Sequence, residues 1–195
     1  MSVPTARDDL KGKTREDAWQ LVQENVQNEG LRKHMLAVEG AMRAYAPLYG
    51  GDPEYWGILG LMHDWDWEIH PSLEEHPMEG VRMLREKGWP EDFLRSILSH
   101  ATYANIPRTE YQDRALFACD ELCGLIVASA LVKPNRSLAE VDARSVMKKM
   151  KDKAFARNVN RDDIVQGASE LERPLEEHIE FVVRALQGIS NELGL

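Results

Sequence analysis

The residues best able to do chemistry in this chain are imidazoles and carboxylates placed where a helix should be apolar. Asp120 lies four residues after Leu116, three before Cys123 and seven before Val127. It shares the stripe expected to face a core, where an ionised carboxylate is costly unless paired or bound to a metal. His34 falls three residues after Leu31 and four before Val38, and His100 follows Phe93 and Ile97 at the same helical spacing. His63 and Asp64 end the apolar run 58–62, and His76 opens the next helical segment after Glu74 and Glu75. Singly, each has an ordinary role as a hydrogen-bonded core histidine, a cap or an ion-pair partner. Jointly, four of the six histidines and two aspartates occupy the ends or inner faces of five helical segments. Imidazole and carboxylate donors together suit divalent ions such as Mn, Fe, Zn or Co, with Mg also open, and one carboxylate can bridge two of them. A site built from inward-facing side chains of a helical bundle fits that donor set.

The elements that must position these residues read as helices almost throughout. Thr14 and Asp17 form a capping-box-like start, continued by Ala18, Leu21, Val22 and Val26. A second helix is expected over about 31–45, stopped by Pro47 and the Gly50-Gly51 pair; Pro53 suits the first turn of a third. The segment 65–75 has no helical period and contains Pro71, so it reads as a loop. Further helices are expected over about 77–87, 91–100, 111–131, 138–151 and 161–171. A last one from Pro174 has an amphipathic stripe of Leu175, Ile179, Val182, Val183, Leu186 and Ile189. Strand alternation, internal repeats and low-complexity tracts are all missing. The expectation is an all-α bundle forming a single domain over 14–195, with residues 1–13 polar and disordered.

Composition sets the outer bounds. The chain has 195 residues, 43% hydrophobic and 29% charged, with a formal charge of −9. That length can bury a core without staples, and the composition excludes a disordered, collagenous or disulfide-scaffold class. No stretch approaches the ~20 apolar residues of a membrane span. Cys119 and Cys123 are the only cysteines and read as small core residues, so a reducing cytoplasm is the expected location. The charge is unevenly spread. Between Arg144 and Arg161 seven basic residues face one acid, Asp152, so that window carries +6 within a chain of −9. The overall acidity argues against a nucleic-acid partner. The basic window is either a solvated helix face or an attractor for small anions.

The order His34, His63-Asp64, His76, His100, Asp120 resembles the defining pattern of the HD-domain superfamily of metal-dependent phosphohydrolases, with His76 and His100 similar to the extra ligands of its dinuclear branch. The resemblance implies a helical HD core over about 31–131, followed by a C-terminal helical extension over about 137–195. It implies that His34, His63 and Asp120 bind one ion, His76 and His100 a second, and that Asp64 bridges them as the catalytic residue. Two ions about 3.5–4 Å apart can activate a water and hold a phosphate ester in line for attack. No Ser, Cys or His nucleophile is then needed, which agrees with the absence of a nucleophile motif.

One departure is specific. Relatives often continue the HD pair with Ile-Gly-Lys, whereas here Trp65-Asp66-Trp67 follows and Trp67 stands where that lysine would be. Candidate replacements for binding the substrate anion are Arg108 and the basic residues Lys148, Lys149, Lys153 and Arg157. Asp66 reads as an exposed loop carboxylate in preference to a partner orienting a histidine; Trp65, Trp67 and Tyr103 read as packing in preference to pocket lining. His70 and His178 fall outside the ligand order. The leading expectation is hydrolysis of a small phosphate ester, a nucleotide or a phosphomonoester or diester. The alternatives are di-iron oxygenase chemistry on a small polar substrate and a non-catalytic metal- or ligand-binding module. The apolar final helix is a candidate homodimer face.

Overall fold

The computed structural model describes residues 9–195, and among these it contains helices and turns but no strand. Much of the expected disordered N-terminus lies outside the described residues. Residues 9–13 form a turn that lays Leu10 against the core.

The helices that begin at Arg15, Glu29, Pro53, Ala143 and Arg161 do so where the side chain of the preceding residue satisfies otherwise unpaired first-turn amides. Helix α1 (Arg15–Asn25) opens on the expected capping box between Thr14 and Asp17. Helix α2 (Glu29–Tyr45) begins two residues earlier than expected because the Asn28 side chain accepts from the Leu31 amide. Helix α3 (Pro53–Met62) has Pro53 in its first turn and Asp52 as cap. Helices α4 (Met78–Glu86), α5 (Glu91–His100) and α6 (Tyr111–Leu131) fall within a residue of expectation. The expected helix over 138–151 is two pieces. A 3-10 turn, Leu138–Glu140, precedes α7 (Ala143–Lys151), because the Asp142 carboxylate caps the Ser145 amide and starts a new helix there. Helices α8 (Arg161–Glu170) and α9 (Leu175–Gly188) follow, and a short α10 (Ser190–Leu193) closes the chain.

Helix α2 is central, packed on α3, α6 and α9, while α6 also packs on α5 and α8. Gly60 brings α3 close to α2: a Cβ there would lie 2.9 Å from the Val38 carbonyl oxygen. The core between them buries Met35, Met42, Tyr45, Trp56, Leu59 and Trp65 completely or nearly so. Truncating any of the larger aliphatic members would cost about 2–5 kcal/mol. The apolar stripe of α9 is also spent inside the chain, where Ile179, Val182, Val183 and Leu186 are buried against α2, α6 and α7. Among the described residues no helix is long and apolar enough to cross a membrane.

Candidate metal centre

The packing of α2, α3, α5 and α6 brings five of the six ligand-type residues together at helix bodies and ends, and the 65–77 loop supplies the sixth. His34 projects from α2, His63 and Asp64 follow α3, His76 precedes α4, His100 ends α5, and Asp120 is mid-way along α6. They form two groups. Nitrogen and oxygen atoms of His34, His63 and Asp120 lie within 4.8 Å of one another, as do those of Asp64, His76 and His100.

In the first group the Asp120 Oδ1 is 3.0 Å from His34 Nε2 and 3.4 Å from His63 Nε2. In the second, Asp64 Oδ1 is 3.3 Å from His76 Nε2 and 3.5 Å from His100 Nε2. The other Asp64 oxygen, Oδ2, faces back to the first group, 3.6 Å from His63 Nε2 and 3.8 Å from His34 Nε2. Donors about 2.1 Å from one ion stand about 3.0–3.4 Å apart at right-angled to tetrahedral openings, and the contacts within each group, 3.0–3.5 Å, are close to that spacing.

Tautomers sharpen the fit. His63 Nδ1 donates to the Gly60 carbonyl at 2.7 Å and His100 Nδ1 donates to the Ile97 carbonyl at 2.5 Å. His76 Nδ1 donates to Asp66 Oδ1 at 2.9 Å. Each of these rings thus keeps its Nδ1 proton and aims an Nε2 lone pair inward. His76 Nε2 and His100 Nε2 face each other at 3.3 Å, and two lone pairs cannot bond one another. A cation between them resolves the conflict, so the residues present fit a divalent ion.

The electrostatics agree. Burial disfavours charge on His63 and His76, yet Asp64 and Asp120 beside the first, and Asp64 and Asp66 beside the second, raise both imidazoles to about 9. Burial opposes charge on Asp64 and Asp120 too, but His63 and the other imidazoles hold both carboxyls well below the usual range. Such a cluster collects positive charge, as protons or as metal.

A cavity of about 440 Å³ opens onto both groups. Trp67, Tyr103 and Phe117 supply aromatic walls, Glu121 and Asp163 carboxylates, and Asn158 an amide. Burial near Asp120 raises Glu121 to about 8 and, with the Asp64 charge, pushes the Tyr103 hydroxyl up to about 12. Among the described residues that line this cavity there is no lysine or arginine.

The candidate anion-binding residues are elsewhere. Arg108 is held by Glu170 through two bonds of 2.7 Å, donates to the Ser99 carbonyl and lies 3.7 Å over the Phe117 ring. Lys148, Lys153 and Arg157 are exposed, and Lys149 is half-buried with its ammonium 4.0 Å over Phe155. Part of the basic window is structural, since Arg161 donates to the carbonyls of Phe155, Ala156 and Val159.

Two expectations are corrected. Asp66 is fully buried and bonded to His76, because the loop folds back onto α4 instead of into solvent. Trp67 and Tyr103 line the cavity, with Trp67 standing edge-on to His76 at 4.9 Å, whereas Trp65 is packed in the core as expected. His178 and His70 stay outside the centre. His178 bridges the Tyr45 hydroxyl and the Ala118 carbonyl, and His70 stands 3.8 Å from Glu75. Sequence reasoning missed Glu121 and Asp163; adjacency to Asp120 was the available signal for the first.

The HD domain family matches residues 31–147, which is more than half of the chain, and the protein belongs to that family. HD domains bind divalent metals and define a superfamily made up mostly of metal-dependent hydrolases, with phosphohydrolysis as its characteristic reaction. The match starts at Leu31 and runs past α6 into α7. No curated protein and no solved structure matches the chain.

Proposed function

We propose that this protein is a metal-dependent phosphohydrolase that cleaves a small phosphate ester, a nucleotide or a phosphomonoester or diester. In this reading residues 14–195 act as one unit, with His34, His63 and Asp120 at one ion position, His76 and His100 at the other, and Asp64 between them. The carrying observation is the split of Asp64, whose Oδ1 serves the His76–His100 pair while Oδ2 turns to His63 and His34. Divalent ions bound at such a pair lower the pKa of a coordinated water and draw charge from a phosphate oxygen.

The chain's own contribution is orientation and a shaped cavity. The Gly60 and Ile97 carbonyls and Asp66 hold three imidazoles with Nε2 inward. Trp67, Tyr103 and Phe117 line the cavity and offer faces to a base or another flat group. Lys148, Lys149, Lys153 and Arg157 lie on the surface, and their part is to draw an anion toward the cavity. Arg108, its charge paired with Glu170, supports the Phe117 wall from behind. Mn, Fe, Zn and Co suit this donor set, whereas Mg, which favours oxygen ligands, suits its four imidazoles least.

The test is hydrolysis of a panel of nucleotides, phosphomonoesters and phosphodiesters with Mn²⁺, followed by phosphorus-31 NMR of the products. Hydrolysis abolished by Asp64→Ala is expected; no hydrolysis of any member would overturn the reading. The cavity's carboxylate and aromatic lining, with Trp67 in place of the lysine, favours a second reading, a di-iron oxygenase acting on a small polar substrate. Substrate-dependent oxygen uptake by iron-loaded protein would establish it.

A further inference from the structure

We infer that Asp66 is the positioning residue on which the His76–His100 half of the centre depends, fixing His76 in the one tautomer that can offer Nε2 to a cation. The inference rests on the metal-centre reading above.

Asp66 is fully buried and both of its oxygens are used. Oδ1 accepts from His76 Nδ1 at 2.9 Å, and Oδ2 accepts from the Gly80 amide at 3.0 Å. That amide is one of the first-turn donors of α4, whose preceding residue, Pro77, provides no side-chain cap. A carboxylate suits the position twice, since it faces the positive end of the helix and the protonated edge of an imidazole. Contact is close enough to require glycine on the helix, because a Cβ at position 80 would lie 2.3 Å from the Asp66 carboxyl carbon. The other two oriented histidines, His63 and His100, use backbone carbonyls. No substitution of a neighbouring side chain removes those partners, whereas the tautomer of His76 hangs on a single side chain.

The chemistry demands aspartate and not its amide. Two N–H donors converge on one side chain, and asparagine has one acceptor oxygen to meet them. If that oxygen keeps the Gly80 amide, its NH₂ meets His76 Nδ1 and moves the ring proton to Nε2, the atom that must stay bare.

The experiment uses the full chain. Equilibrium dialysis against Zn²⁺ should give two ions per wild-type chain. Asp66→Asn should retain one at the free concentration that saturates the wild type, with the second ion about 10–100-fold weaker. Nitrogen-15 NMR of the zinc-loaded wild type, with His76 assigned by its loss in His76→Gln, should show a protonated Nδ1. Two ions bound equally well by Asp66→Asn would overturn the role of Asp66 alone. So would a wild-type His76 protonated at Nε2, an observation that does not depend on whether the variant folds. A wild type that holds fewer than two ions would defeat the two-ion reading together with this inference.

Discussion

His76 and His100 meet nitrogen to nitrogen at 3.3 Å, with both Nδ1 protons already given to Asp66 and to the Ile97 carbonyl. Without a cation one ring must take up a second proton. Metal should therefore stabilise the fold by mass action, by about 2.7 kcal/mol at a free concentration one hundred times Kd. Thermal unfolding with Mn²⁺ or Zn²⁺ should show a raised Tm that EDTA reverses, and His100→Ala should lose most of the increment. An unchanged Tm across that range would contradict the fit.

The electrostatic part of the basic window can be separated from any contact with substrate. Lys148, Lys149, Lys153 and Arg157 do not line the cavity, so replacing all four by alanine should raise KM for an anionic ester and flatten its dependence on salt. The turnover number should stay within about twofold, a mild effect next to the 10²–10⁴-fold typical of removed acid–base groups. A collapse of kcat would place one of them at the reacting phosphate.

Asp113 ties the two elements that carry His100 and Asp120. It is fully buried at the start of α6 and accepts from Arg95 at 2.6 Å and Ser96 at 2.7 Å on α5, as well as from the amides of Thr109 and Glu110. Asp113→Ala would strand several donors at once and should destabilise by about 3 kcal/mol in urea unfolding. Metal affinity should fall with it, since α5 and α6 then lose their common anchor. A change below about 0.5 kcal/mol would show that solvent replaces the carboxylate without loss.

His178 gives the fold a pH dependence remote from the centre. Burial lowers its imidazole to about 4, with the Ala118 carbonyl acting the other way. Between the ordinary value near 6.5 and about 4 the unfolded chain binds a proton that the folded chain refuses. The stability is thus present above about 6.5 and lost as pH falls to about 4, on the order of 3 kcal/mol in all. Stability measured across that interval should flatten in His178→Gln, which can still accept from Tyr45 and donate to Ala118. An equal slope in both proteins would assign the loss to other groups.

His34, His100 and Asp120 stood out in the sequence because each interrupts an apolar helical period, and such an interruption needs a reason; His63, Asp64 and His76 stood out only by their place at helix ends. Asp66 was not legible in the same way. It sits in a segment without a period, so nothing in the spacing distinguishes a carboxylate folded under α4 from one in solvent. Glu121 and Asp163 escaped for a different cause, since the cavity wall runs across α6 and α8 and a single-face reading stops at Asp120. The break before α7 was hidden because Leu138, Val141 and Val146 keep an apolar rhythm through it, while the cap at Asp142 restarts the helix. Basic residues 148–157 are clustered in sequence, but a window of charge says nothing about which way the surface it covers will face.

Gly60 serves two elements at once. Its bare Cα lets α3 rest against the backbone of α2, and its carbonyl holds the ring of His63, which faces His34 on that same α2. The gap between two helices and the aim of two candidate ligands are thereby one quantity. A methyl group added at position 60 would widen the first and spoil the second, so the ion content of a purified variant would serve as a ruler for the spacing of its core.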